Sequence, residues 1–102
     1  GQVRIGAGAV IQRSRLRGPL VIGTGASISD SYVGPFSALA EGVVLRHCEV
    51  ENSIVLGRSR LENLPHRIEA SLIGRDVVVT ASEARPRAHR LMLGDSSRVE
   101  LA

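Results

Sequence analysis

The chain repeats itself about every seventeen residues over most of its length. Apolar residues recur at this step in two columns. The first column is Ile5, Ile22, Leu39, Leu56 and Ile73, and the second is Ile11, Ile28, Leu45 and Val79. The second column skips one turn between Leu45 and Val79. A repeat this short cannot bury an apolar face alone, so each copy has to stack on the next one. The sequence therefore predicts a stacked repeat architecture in which both columns form the core.

Each seventeen-residue unit divides further into two hexapeptides and one pentapeptide. Apolar anchors fall at Ile22, Ile28 and Val33, and a small residue such as Ala26 stands two places before an anchor. The glycines between anchors suit corners, because glycine reaches backbone angles closed to other residues. Three corners per unit predict an all-β parallel β-helix of about five triangular coils over residues 1–80, with strands stacked about 4.8 Å apart.

Composition agrees with this architecture and excludes several functions. The 102 residues suit one domain, and Tyr32 and Phe36 are its only aromatic residues. The thirteen basic residues are all arginine, and they are spread among ten carboxylates without a concentrated stripe, which argues against nucleic-acid binding. No apolar run approaches the roughly 20 residues that cross a bilayer, so no membrane partner is expected. The single cysteine, Cys48, excludes an internal disulfide and favours a reducing cytoplasm.

The repeat fails in two places. Residues 57–67 lose phase, with Glu62 where an anchor is due, and this predicts a bulged corner with Leu61 or Leu64 turned inward. Residues 81–102 abandon the hexapeptides and read as strand, turn and strand, which predicts a hairpin that caps the open end. The amino-terminal end enters the repeat at once without a cap, so we expect an upstream partner to cover it.

Few residues are candidates for chemistry. The best general base is His47, beside Cys48 at a corner, and it stands as a weak candidate. The histidine spacings match no metal-ligand motif, so no metal or other cofactor is expected in this chain. Cys48 follows Ser31 by seventeen residues and reads as a small member of a repeat column. Three arginines of the tail could clamp a phosphate or form a solvated face: Arg85, Arg87 and Arg90.

The hexapeptide pattern resembles left-handed β-helix proteins, which include acyltransferases and sugar-nucleotide pyrophosphorylases. The tail narrows the resemblance to the carboxy-terminal end of the long-form glucose-1-phosphate thymidylyltransferases, which end in an Arg-x-x-x-Gly-Asp-x-Ser-x-Val segment. That segment matches Arg90, Gly94, Asp95, Ser97 and Val99 here. Residues 30–37 also look like a coil corner of that family.

The resemblance implies a left-handed coil and a nucleotidyltransferase domain upstream of Gly1, outside this sequence. It implies a parent reaction of glucose 1-phosphate with dTTP, giving dTDP-glucose and pyrophosphate with magnesium. The chain itself would then be non-catalytic, and would buttress its own catalytic domain and hold a homo-oligomer together, with a trimer favoured. One alternative is an acyltransferase domain that uses acyl-CoA with His47 as general base. Another is a scaffold unrelated to nucleotide sugars.

Overall fold

The computed structural model describes residues 1–81, 92–93 and 98–101, and these residues form strands and turns without a helix. Strand order follows the chain as β1 Val3–Ile5, β2 Val10–Gln12, β3 Arg15–Leu16, β4 Leu20–Ile22, β5 Ser27–Ser29, β6 Tyr32–Val33, β7 Ser37–Leu39, β8 Val44–Arg46, β9 Glu49–Glu51, β10 Ile54–Val55, β11 Arg60–Glu62, β12 Ile68–Glu69, β13 Leu72–Ile73, β14 Val78–Ala81, β15 Met92–Leu93 and β16 Arg98–Leu101.

The strands build three parallel sheets, and each of the first four coils gives one strand to each sheet. Sheet A has the order β1-β4-β7-β10-β13-β15, sheet B the order β2-β5-β8-β11-β14-β16, and sheet C the order β3-β6-β9-β12. Every strand pair is parallel, and the partners lie sixteen to twenty residues apart. The predicted parallel β-solenoid of about five turns is confirmed.

The core is a set of aliphatic columns inside the three sheets. Sheet A contributes Ile22, Leu39 and Ile73, which are all buried. Sheet B contributes a buried column in register along the coils, namely Ile28, Leu45, Leu61 and Val79, so Leu61 fills the turn that the sequence pattern skips. The first coil is less enclosed, because its strands have a neighbour on one side: Ile5 is exposed and Ile11 is half-buried.

The predicted core position of Leu56 is wrong. The structure places Val55 in register with both Leu39 and Ile73, and Val55 is fully buried while Leu56 is only half-buried. The step in this coil is sixteen residues, because five residues lead from Val50 to Val55 where six lead from Val33 to Leu39. A strict seventeen-residue count therefore overshoots the inward position by one.

The irregular corner predicted over residues 57–67 is shorter in the structure. Arg60–Glu62 is a regular strand, and the enlarged corner follows it, over residues 63–67. Leu61 on the strand and Leu64 in the corner are both buried in the core, where the sequence predicts one or the other. The extra length of the corner brings the step from Val55 to Ile73 to eighteen residues and so restores the register.

The corners of the solenoid use left-handed backbone conformations. Gly25 has φ +70°, and within residues 1–81 nine non-glycine residues also have positive φ, near one corner or another of each coil. Neighbouring coils approach closely at Gly23. A Cβ at this position would lie only 2.6 Å from the Ala40 carbonyl carbon, so a larger residue does not fit. Glycine thus serves two separate needs, a positive φ at Gly25 and a close backbone approach at Gly23.

The tail strands do not form the predicted hairpin. β15 pairs in parallel with β13, and β16 pairs in parallel with β14, so both strands extend sheets that the coils have already built. Parallel addition keeps the rise of the solenoid and covers the edges of the fifth coil. The turn predicted between them and the arginines Arg85, Arg87 and Arg90 lie outside the described residues. The predicted boundary between residues 80 and 81 falls inside β14.

Candidate functional site

His47, the predicted general base, lies at the corner between β8 and β9. Its backbone has φ +49°, and its side chain is exposed, with Nε2 3.7 Å from Oδ2 of Asp30 on the coil below. Asp30 is also held by Arg13, whose Nε and Nη2 donate to the two carboxylate oxygens at 2.8 and 3.1 Å. This paired hydrogen bond from Arg13 keeps the pKa of the Asp30 carboxyl below its usual range.

This arrangement is weak as a catalytic dyad. A distance of 3.7 Å is too long for the hydrogen bond by which a carboxylate orients a histidine base. The carboxylate charge is moreover already shared with the Arg13 guanidinium. Within the described part of the chain, no group of three or more His, Cys, Asp or Glu side chains could hold a metal ion.

Cys48 lies beneath the same corner and is buried, 3.8 Å from the hydroxyl of Ser31. Ser14, Ser31 and Cys48 form one column, in which each hydroxyl accepts the backbone N–H of the next coil. Burial raises the pKa of the Cys48 thiol to about 11, so it stays protonated near neutral pH. The thiol is thus a small member of a repeat column, as its spacing predicts, and is poorly suited to act as a nucleophile.

A shallow hollow of about 740 Å³ opens over this corner. Its lining combines both signs of charge with the serine column: Arg13, Ser14, Arg15, Asp30, Ser31, Tyr32, His47, Cys48, Glu49 and Leu64. The neighbouring outer face of sheet C is also charged. There the Arg67 guanidinium bonds Glu49 and Glu51 and lies 5.2 Å from the centroid of the Tyr32 ring. These contacts tie neighbouring coils together.

The outer face of sheet A has a different character. Its central outward positions lie in register and are all apolar: Val21, Ala38, Ile54 and Leu72, here called the apolar ladder. The three large members are 40–48% exposed. Sequence reasoning missed this surface, although the signal was present: an apolar residue stands directly before most inward anchors of that sheet, where a solvated face would carry polar residues.

Phe36 projects from the corner that precedes β7 and is 70% exposed, with φ +63°. Beside it lies a hollow of about 290 Å³, here called the Phe36 hollow, whose apolar walls include Pro19, Leu20 and Val21. Gln2, Arg4, Ser37 and Phe36 itself complete its lining. Val21 belongs to both the hollow and the apolar ladder, so the two features form one continuous surface. In the sequence, Phe36 stands out only as one of two aromatic residues.

In the described ranges no helix combines the length and apolar character needed to span a membrane. No protein-family model matches the chain.

Three similar proteins indicate where the chain belongs. A glucose-1-phosphate thymidylyltransferase of Streptomyces griseus is 49% identical over 102 residues, which are 100% of this chain and 28% of that protein. The enzyme of the same description from Streptomyces antibioticus is 48% identical over 101 residues, 99% of this chain and again 28% of the relative. The low-salt glycan biosynthesis nucleotidyltransferase Agl11 of Haloferax volcanii is 34% identical over 72 residues, 70% of this chain and 20% of that protein. The resemblance seen in the hexapeptides and the tail is thereby confirmed, and the chain is a homologue of the glucose-1-phosphate thymidylyltransferases over a β-solenoid that corresponds to 28% of their length.

Proposed function

We propose that the chain is the carboxy-terminal structural and oligomerisation domain of a glucose-1-phosphate thymidylyltransferase. In this proposal the parent enzyme joins glucose 1-phosphate to dTTP, releasing dTDP-glucose and pyrophosphate. Two relatives that are 48–49% identical to the chain are glucose-1-phosphate thymidylyltransferases, which supports this assignment. The nucleotide chemistry, with its magnesium, belongs to a catalytic domain upstream of Gly1.

The observation that carries the structural role is the apolar ladder of sheet A. Its large side chains stay 40–48% exposed, although the core beneath them is already filled. Contiguous exposed apolar surface in a folded protein marks a contact with another protein surface. An oligomer of this chain, with a trimer favoured, would cover that face, while the catalytic domain is a second partner.

The contacts between coils support a rigid spacer. Arg13 bonds Asp30, Arg58 bonds Asp76, and Arg67 bonds Glu49, and each pair joins one coil to the next. Together with the continuous core, these ion pairs make the β-solenoid suited to hold attached domains at a fixed spacing. The buried free thiol of Cys48 is in keeping with a cytoplasmic enzyme.

Removal of this segment from a relative tests the proposal. The Streptomyces griseus enzyme would be prepared whole and without the region homologous to this chain, and both forms would be compared by light scattering and by pyrophosphate release. We expect the shortened enzyme to form an oligomer of fewer subunits than the whole enzyme. We also expect it to keep measurable turnover of glucose 1-phosphate and dTTP when folded. An unchanged assembly would contradict the oligomerisation role.

The isolated chain provides the second arm. With glucose 1-phosphate, dTTP and magnesium it should show no turnover, and it should self-associate in solution. Acyl transfer from acetyl-CoA to a sugar amine, lost in His47→Ala, would instead establish the acyltransferase alternative. The scaffold alternative would be favoured if the isolated chain self-associates while removal of the homologous region leaves the assembly and turnover of the Streptomyces griseus enzyme unchanged.

A further inference from the structure

We propose that Phe36 and the Phe36 hollow form a self-complementary anchor, in which the Phe36 ring of one copy of this chain enters the hollow of a second copy. This inference rests on the proposed oligomerisation role and names the surface that performs it. It depends on the backbone at Phe36, the shape and chemistry of the hollow, and the continuity of the surrounding face.

Phe36 occupies a backbone conformation that does not suit it. Its φ of +63° lies in the left-handed region, where a bulky side chain is an outlier and glycine or asparagine is preferred. The corresponding corners of the next two coils carry Asn52 and Ala70 at φ +48° and +51°. The Phe36 ring is 70% exposed, so packing within the chain does not compensate for the strained backbone. Strain of this kind at an exposed aromatic residue indicates a role outside the fold.

The Phe36 hollow offers a place for such a ring. The hollow has a volume of about 290 Å³, and Pro19, Leu20 and Val21 give it apolar walls beside the chain's own Phe36. An aromatic ring from a second molecule would bury apolar surface there and could pack against that Phe36 ring. The hollow on the other side of Phe36 is larger, about 360 Å³, but it contains Glu51 and Glu69. Carboxylates are costly to desolvate against an aromatic ring, so the ring is expected in the first hollow.

The occupant that fits best is a second copy of the same chain. A projecting ring and a fitting hollow lie side by side on one molecule, so each copy can both insert and receive, in a two-fold pair or around a closed ring. The apolar ladder continues from Val21, and an identical ladder has the same rise per coil, so the two faces match along their length. The molecule extends 35 × 24 × 21 Å, so one side of it has room for the roughly 800 Å² that each partner buries in an interface of standard size.

The test separates assembly from stability in the 102-residue chain. Phe36→Gly and Phe36→Asn would be compared with wild type by concentration-dependent light scattering and by thermal unfolding of dilute samples. We expect the dissociation constant of the assembly to rise at least 30-fold, as for an anchor residue. The unfolding temperature of the dilute protein should stay level or rise, because glycine and asparagine accept the left-handed backbone. A residue that merely supports the fold would lower stability and assembly together.

A matched control uses the same corner column. Ala70→Gly relieves a left-handed backbone without removing an aromatic ring, and should leave assembly unchanged. Val21→Glu places a charge in the wall of the hollow, and should weaken assembly as Phe36→Gly does. Val10 on sheet B is 49% exposed, much like Val21, so Val10→Glu serves as the control and should leave assembly unchanged.

A photo-crosslinker identifies the contact directly. With p-benzoylphenylalanine in place of Phe36, and isotope-labelled chains mixed with unlabelled ones, we expect crosslinks between chains that map to Pro19, Leu20 or Val21. If Phe36→Gly assembles like wild type, the anchor is refuted and the oligomerisation role stands. If wild type stays monomeric up to 100-fold above the concentrations at which enzymes of this class are assayed, both proposals fall.

Discussion

Val55 lies in register with Leu39, sixteen residues before it, and both side chains are buried inside sheet A. Seventeen residues separate Leu39 from its other neighbour, Ile22. The repeat can therefore lose a residue at a corner without breaking the column, because the strands are held by backbone pairing and by inward packing, and the corner adjusts.

That relationship makes an adjacent pair of variants informative. Val55→Asp would bury a carboxylate between Leu39 and Ile73, and we expect the free energy of unfolding to fall by more than about 4 kcal/mol. Leu56→Asp changes a half-buried side chain outside the column, and its loss should be below about 2 kcal/mol. Urea unfolding followed by circular dichroism measures both. Equal losses would show that the sixteen-residue register is wrong.

The thiol of Cys48 should be unreactive in the folded protein. Burial raises its pKa to about 11, so little thiolate exists at pH 8, and the side chain is shielded as well. Iodoacetamide labelling followed by mass spectrometry should be slow in buffer and fast in urea. As a matched comparison, a single thiol moved to the half-buried first position of the same column, by Ser14→Cys with Cys48→Ser, should react faster in buffer. Rapid labelling of folded wild type would contradict this burial.

The ion pair between Arg13 and Asp30 should be visible in a pH titration. Arg13 lowers the pKa of the Asp30 carboxyl in the folded chain, so this group adds stability above its unfolded pKa and loses that contribution as the pH falls through its folded pKa. Arg13→Gln should raise the Asp30 pKa toward its ordinary value, as followed by NMR. The carboxyl of Asp76, whose pKa is lowered by Arg58, should not respond and serves as the internal control.

Corner conformation gives a prediction with opposite signs at two alanines. Ala70 has φ +51°, a conformation that costs an ordinary residue about 1–2 kcal/mol. Ala70→Gly should therefore stabilise the solenoid by up to about 1 kcal/mol, after the entropy that glycine loses on folding. Ala7 is exposed at a turn and is not among the positive-φ residues, so Ala7→Gly should destabilise by a few tenths to about 1 kcal/mol. Thermal unfolding that shows destabilisation by both changes would contradict the left-handed corner.

Much of the core was predictable, because inward positions of a solenoid accept only apolar or small residues. Ile22, Ile28 and Ala26 could be placed from spacing alone, and all three are buried. Leu56 was misplaced, because Leu56 and Val55 are adjacent apolar residues and counting cannot tell which one faces inward. The corner that loses a residue offers no distinct sequence mark.

The candidate site was less predictable, because exposure depends on what the rest of the fold covers. His47 could be placed at a corner from its spacing, but its distance to Asp30 and the competing bond from Arg13 are tertiary facts. Phe36 carried no sequence signal, since an aromatic residue is normally assigned to a core. The direction of the tail strands was also unpredictable, because strand patterns alike in sequence can pair in parallel or antiparallel fashion.

By itself the sequence determined the parallel stacking, the approximate number of coils and the relationship to the thymidylyltransferases. A short apolar period admits few ways to bury its residues, and the hexapeptides together with the closing segment resemble that family. Only the tertiary structure decided the register at Val55, the outward direction of the apolar ladder and the exposure of Phe36. All three features depend on contacts between residues of different coils. The packing that selects one register over the next therefore involves several repeats at once and is not contained in any single repeat.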